Sequence, residues 1–310
     1  MPTYPRSPYS LFPSVSQPQQ YELPQRRDDP ANDIPFIPDN ASPSTDWLPI
    51  YNTRTPYIEA EIVHLIHEIV RSYVRLSAVS EDEVIWPPEG GHDLDEALCN
   101  KLNISDVAKS LIRLLPSPAS SVSPINLYES SQLFNILDGG STLCISRESP
   151  SYDENKDPPA ERYILPYDIQ LSGGDPETPV IILDTRENTI RVVSNIDGAD
   201  DLNPPYAPLE RPDDPYYYRN HWPRHAPTFL NMQLNRIKAL DIIPPGPDHS
   251  SYLDFSNEWM RRKIKHSLEG TYGWPDNFQQ SAWDQDRDRV WAETEEEYDR
   301  LGRPSVLRFS

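Results

Sequence analysis

One stretch constrains this chain more than any other. Val180-Ile181-Ile182-Leu183 is followed by Asp184-Thr185-Arg186-Glu187-Asn188-Thr189 and then by Ile190-Arg191-Val192-Val193. A short, continuously apolar, β-branched run reads as a strand covered on both faces. In the second run Ile190 and Val192 point one way while Arg191 and Val193 point the other, because side chains alternate along a strand. The polar link is short, and Asn188 tolerates a left-handed turn position. This is a hairpin. Just upstream, Tyr163-Ile164-Leu165 and Ile169-Gln170-Leu171 read as another strand pair broken at Pro166, with Ser172-Gly173-Gly174-Asp175 as its turn. The rest of the chain reads as layers added to this sheet.

Further upstream, Leu133-Phe134-Asn135-Ile136-Leu137, Asp138-Gly139-Gly140 and Thr142-Leu143-Cys144-Ile145 have the pattern of a second hairpin. The links between these strands are too short for helical crossovers, so the sheet is expected to be antiparallel. Helices flank it. After Pro56, residues Ile58, Ile62, Leu65, Ile66, Ile69, Tyr73 and Leu76 step by three and four, which places them on one face. Glu61, His64, Glu68, Arg71 and Arg75 fall on the opposite, solvated face. Trp86 in the WPPEGG loop is expected to dock on the core. Two shorter helices follow, one with Leu94, Leu98 and Leu102, the other started by Ser105-Asp106. Beyond Pro227 a helix carries Leu230, Leu234, Ile237 and Leu240, and the next carries Leu253, Met260, Ile264 and Leu268 up to Gly270. The last, about residues 278–301, has only a thin stripe of Trp283, Val290, Trp291 and Tyr298, and is expected to lie loosely on the surface.

The 310-residue chain carries a formal charge of −21, which disfavours nucleic acid and anionic membranes as partners, since both select clustered Lys and Arg. Its 35 prolines are about twice the usual share, so much of it must be loop or tail. They crowd residues 1–54, where no period survives; that segment is expected to be a disordered leader. Pro2, Pro5 and Pro8 have PxxP spacing without a flanking basic residue suited to an SH3 ligand, and Ser7 and Ser42 each precede proline. No apolar signal region opens the chain, and no stretch approaches the ~20 apolar residues that span a bilayer. Cys99 and Cys144 form neither a disulfide framework nor a zinc knuckle, and Cys99 sits beside a leucine stripe as a structural thiol. The expected setting is therefore the cytoplasm, with the nucleus as the alternative, and the sequons at Asn40 and Asn103 are expected to be unused.

Candidate sites are few. His64 and His67 lie three apart with Glu68 after both, whereas a zincin helix needs histidines four apart with the glutamate between. Asp284, Asp286, Asp288 and Glu295 match calcium-loop spacing, but Arg289 stands where the loop needs glycine and the pattern stays helical. No metal and no cofactor is expected. Asp168, Asp184 and Glu187, with Asp175 nearby, cluster at strand ends, so paired-carboxylate acid–base chemistry of a hydrolase is the alternative catalytic reading. There is no G-x-S-x-G elbow, Gly-rich phosphate loop or Cys–His pairing. Residues 197–225 are irregular and rich in proline, acids and aromatics. Within them Tyr216, Tyr217, Tyr218, Arg219, Trp222 and Arg224, beside Asp213 and Asp214, have the composition of an interface hot spot. The competing reading is that these rings simply cover the sheet.

The stretches WPPEGGHDLDEALC, YILPYDI, VIILDTRENTIRV, HAPTFL and ALDIIPPGPD resemble an uncharacterised family of filamentous-fungal proteins over roughly residues 55–250. The run of a strand with Leu-Pro, an apolar strand ending in Leu-Asp, a short turn, another strand and a closing helix is similar to the SUKH superfamily. This chain departs from that pattern in lacking a recognisable Gly-Gly element after the first helices. The resemblance implies an α+β module that binds other proteins, as bacterial toxin-immunity proteins and a fungal cell-wall-synthesis regulator do. The expected architecture is one α+β domain over residues 55–270, its mostly antiparallel central sheet (125–196) packed by N-terminal and C-terminal helices, with a charged helix in 271–310. The expected function is non-catalytic binding of an unidentified protein partner.

Overall fold

The computed structural model describes residues 56–120, 124–128, 130–138, 140–173, 178–193, 216–221, 223–246, 253 and 257–301. First come α1 (Glu59–Arg75), β1 (Val84–Ile85), α2 (Glu96–Lys101), α3 (Asp106–Leu114) and β2 (Ser117–Pro118), which pairs with β1. The main sheet comprises β3 (Asn126–Tyr128), β4 (Ser131–Leu133), β5 (Asp168–Gly173), β6 (Val180–Asp184), β7 (Thr189–Val193) and β8 (Arg224–His225). A short helix, α4 (Ser141–Ile145), precedes β5, and α5 (Ala226–Lys238), α6 (Glu258–Gly270) and α7 (Gln280–Arg300) follow β8. The fold is α+β with an antiparallel sheet.

Strand order is β3-β4-β5-β6-β7-β8, each strand pairing antiparallel with its neighbour in the chain. Short links favour this, because consecutive strands that stay adjacent avoid crossovers. The β6–β7 hairpin runs in register from Val180↔Val193 to Asp184↔Thr189. Its turn is fixed by Asp184, whose Oδ1 accepts the backbone N–H groups of Arg186 (2.9 Å) and Glu187 (3.0 Å). Asn188 completes it at φ 56°, the left-handed region that asparagine enters at low cost.

Alternation sorts the strands into two different faces. Ile169, Leu171, Ile181, Leu183, Ile190 and Val192 join the main core under α1 and α5. Ile164, Val180, Ile182, Val193 and Tyr218 form a second, smaller cluster on the other side. Every residue of β6 is buried, as its unbroken apolar run requires. The second face also buries charge, and it holds the first candidate site.

Several local expectations are corrected. Residues 142–145 form α4, not a strand: Asp138 accepts both the backbone N–H (2.9 Å) and the hydroxyl of Thr142, so the presumed turn starts a helix. The partner of β4 is instead β5, with Leu133 opposite Ser172. Tyr163 bridges Glu148 rather than pairing with β5, and Ser172 and Gly173 end that strand instead of turning it; residues 174 and 175 lie outside the described residues. Ile58, assigned to the buried face of the first helix, is 55 % exposed because α1 starts one residue later. The last part of the irregular segment, Arg224 and His225, is an edge strand on β7.

The helix expected to lie loosely, α7, is pinned by its two indoles. Trp283 is 1 % exposed and donates Nε1–H to the Leu76 carbonyl (3.0 Å), and Trp291 stacks against Gly246 closely enough that a Cβ there would come within 2.3 Å of its ring. A thin stripe suffices when it is aromatic, since each large ring buries some 150–250 Å². The 1–54 leader lies outside the described residues.

Candidate functional site

Two places on the molecule gather chemically capable side chains. The first lies on the second face of the sheet. The β5–β6 register sets Asp168 directly opposite Asp184, an arrangement that is repulsive unless a cation intervenes. Arg219 intervenes. A single 3₁₀ turn, Tyr217–Asn220, carries it over the sheet, where its Nη1 donates to Asp168 Oδ1 (2.9 Å) and Oδ2 (3.0 Å) and to Asp184 Oδ2 (2.9 Å). The Tyr218 hydroxyl donates to Asp168 Oδ2 (2.7 Å) and accepts the Leu165 N–H (3.0 Å). Arg191 from β7 lies 3.9 Å from Asp184 and donates Nε–H to the Arg219 carbonyl (3.2 Å). Arg147 ties down the carbonyls of Ile164 (2.8 Å) and Leu165 (3.0 Å).

The cluster is sealed. Asp168 and Asp184 are 0 % exposed and Arg219 is 2 % exposed. Burial works against the Arg219 charge, but Asp168 and Asp184 outweigh it and hold its pKa above the ordinary arginine value. Burial pushes the Asp168 carboxyl up, Arg219 opposing and Asp184 adding to the rise. Burial and then Arg219 bring Arg191 down to about 10. Burial, then Arg224 and Arg191, push His221 down to about 4, so it is neutral near pH 7. A hydrolytic pair must reach substrate and water; these carboxylates instead serve as ligands for an interior arginine.

Four of the catalytic and binding candidates are parts of one structure. Asp168 and Asp184 belong to the catalytic set, Tyr218 and Arg219 to the binding set, and they bond to one another. Glu187 stays apart in the turn, its carboxylate 3.6 Å from Arg186 Nε. Arg224 is buried, while Tyr216 is half-buried with its ring 6.5 Å from that of Tyr218. The side chains of Tyr217 and Trp222, and Asp175, Asp213 and Asp214, lie outside the described residues.

The second place is a surface groove of about 420 Å³ along the C-terminal half of α1. His67, Arg71 and Arg75 line it at four-residue spacing, one helical ridge. Val74, Glu81, Trp86 and Pro87 complete its lining. The Arg71 guanidinium sits 5.5 Å from the Trp86 ring and gives one N–H to Glu68 (2.8 Å). Arg75 lies 4.7 Å over Trp274 and 5.6 Å from Phe278, and donates to the Pro275 carbonyl (2.8 Å). His67 donates Nε2–H to the Leu114 carbonyl (2.8 Å), and its pKa is lowered chiefly by burial, so it adds no charge at neutral pH. A groove of this size with stacked arginines suits a carboxylate attached to an apolar or ring-bearing group. Arg71 and Arg75 lie on the solvated face and Trp86 packs against the core, as the sequence pattern implies; that they meet is set by the tertiary fold and by no local pattern.

Among the described residues no three His, Cys, Asp or Glu side chains gather as a metal site. Of the acids at calcium-loop spacing, Asp284 accepts from Ser77 and Gln280, Asp286 pairs with Arg289 at 2.7 Å and accepts from Tyr272, and Asp288 lies 3.6 Å from Arg287. No helix among the described residues is long and apolar enough to cross a membrane. No protein-family model, curated protein or solved structure matches the chain.

Proposed function

We propose that the protein is a non-catalytic protein-binding module working in the cytoplasm or nucleus. The observation that carries this reading is the state of Asp168 and Asp184. The acid pair singled out for chemistry is fully buried and bonded to Arg219, so it builds the fold. The SUKH resemblance points to the same class of function. Because Tyr218, Arg219 and Arg224 turn inward, the binding face moves from the 216–225 segment to the Arg71–Arg75–Trp86 groove. Arginine and tryptophan are the side chains on which interfaces most depend.

The test is capture from an extract of the native cells by the full chain and by an Arg71→Glu/Arg75→Glu variant. Both arginines are exposed, but they hold Glu68, Trp274 and the Pro275 carbonyl, so circular dichroism and a melting curve first establish that the variant is folded at the temperature of the assay. The reading predicts a protein retained near stoichiometry by the native chain and lost from the variant. Equal retention by both contradicts it. So does a hydrolytic activity abolished by Asp168→Asn in a variant that remains folded.

A further inference from the structure

The second face of the sheet encloses more cations than anions. Arg147, Arg191 and Arg219 are all buried. Among the described residues, the carboxylates that act on them are Asp168 and Asp184, and burial pushes the Asp168 carboxyl toward its neutral form. The carbonyls of Ile164 and Leu165 that Arg147 ties down supply hydrogen bonds and no charge. Net charge enclosed away from water is strongly unfavourable unless a counter-charge is enclosed with it.

The same arginines leave donors unmet. Arg219 reaches both carboxylates through Nη1 alone, so the other edge of its guanidinium is spare. Nε and Nη2 of Arg219 and Nη2 of Arg191 are buried and meet no acceptor among the described residues. The Nε–H and Nη2–H of one guanidinium are parallel, a fork that matches two oxygens of an oxyanion. Arg191 stands beside that fork. Its Nη1 lies 3.9 Å from the same Asp184 Oδ2 that Arg219 reaches at 2.9 Å, and its Nε–H holds the Arg219 carbonyl. The two like charges repel, and an anion between them converts that repulsion into two attractions.

We infer that Arg219 and Arg191 together hold a small inorganic oxyanion of the phosphate or sulfate type, enclosed beneath the Tyr217–Asn220 turn as a resident part of the interior. The seal that keeps a substrate from the carboxylates also sets the size of this occupant: it must be small enough for the chain to fold around. The fork selects an oxyanion over a halide, because a single spherical ion does not present two oxygens to parallel donors. The ion supplies the missing counter-charge and satisfies donors that are costly to bury unmet.

The probe is inorganic phosphate. The full chain is unfolded in urea, refolded by dilution into sodium phosphate and gel-filtered into phosphate-free buffer. It is then denatured in acid, and the released phosphate is measured as its molybdate complex. A single enclosed site predicts about one phosphate per native chain. Arg219→Lys keeps a cation between Asp168 and Asp184 but removes the fork, so this variant, folded by circular dichroism, should retain none. No phosphate on the native chain overturns the inference and leaves the donors to water. Equal retention by the folded variant overturns it as well, since the ion then sits elsewhere. Should Arg219→Lys fail to fold, urea unfolding of the native chain decides. At constant ionic strength the folding equilibrium constant should rise about tenfold for each tenfold in phosphate beyond its Kd. A constant that does not change, or that sodium chloride raises equally, overturns the inference.

Discussion

Replacing Arg219 with methionine is the most informative perturbation of the interior. Methionine keeps the apolar bulk of the stem and deletes the charge. It leaves Asp168 and Asp184 facing each other, both 0 % exposed, with the Tyr218 hydroxyl on one and Arg191 at 3.9 Å from the other. Breaking a buried pair by removing one partner costs about 3–5 kcal/mol, a large part of the ~5–15 kcal/mol that holds an ordinary domain together. At about 2–4 °C per kcal/mol for this size range, the melting temperature should fall by roughly 6–20 °C. The loss should also depend on pH. Without Arg219 the folded-state pKa of Asp168 rises further above its unfolded value, so the folded state binds more protons through that range. Stability of the variant is then greatest below the unfolded pKa and declines as pH rises through the raised folded value. Urea unfolding of both proteins at about pH 5 and about pH 7.5, a range chosen from the upward direction of the shift, should show a wider gap at the higher pH. Adding Asp168→Asn and Asp184→Asn should recover much of the loss. A gap below about 1 kcal/mol, or one independent of pH, refutes the buried-cluster account.

Other predictions follow from single contacts. Ile182, buried in the second-face cluster, should cost about 2–5 kcal/mol when cut to alanine; urea unfolding showing under about 1 kcal/mol would mean the strand is not covered on that side. Gly246→Ala places a Cβ within 2.3 Å of the Trp291 ring and should destabilise by about 1–3 kcal/mol, seen as a lower melting temperature; an unchanged one would show that α7 is not held there. His221, pushed down by burial from the ordinary 6.5 to about 4, contributes stability that is present above pH 6.5 and lost as pH falls toward 4. This amounts to at most about 3 kcal/mol. The raised pKa of Asp168 acts in the opposite sense but is shared with a His221→Asn variant, so the difference between the two pH–stability curves isolates His221; parallel curves would contradict the assignment.

Much of the fold was legible because its signals are local. The unbroken run in β6 announced burial on both faces, the three-and-four stepping announced α1, and Ser105 announced α3, where its side chain accepts the Ala108 N–H (3.2 Å). The failures share a cause as well. Asp138 and the glycines after it suit a hairpin turn or a helix start equally, and only tertiary context selects α4. The charged cluster joins residues 51 and 35 positions apart, and no local pattern encodes that pairing. Strand periodicity did place Arg191 opposite Ile190 and Val192, yet the identity of its surroundings awaited the 3₁₀ turn. The groove was hidden similarly: Arg71 and Arg75 are exposed, as a helical wheel has them, and only the tertiary fold brings Trp86 and Trp274 beside them.

The central claim is that the arginines around Asp168 and Asp184 are interior structure, unreachable by any substrate. Mass-spectrometric mapping of phenylglyoxal modification on the native full chain tests it most directly. Arg262 and Arg289, with side chains 64 % and 54 % exposed, serve as references. The account predicts that both references react while Arg147, Arg191 and Arg219 stay unmodified until denaturant is added. Modification of Arg191 or Arg219 in the native protein at a rate near that of the references would contradict it, and would restore the strand-end carboxylates as an open site.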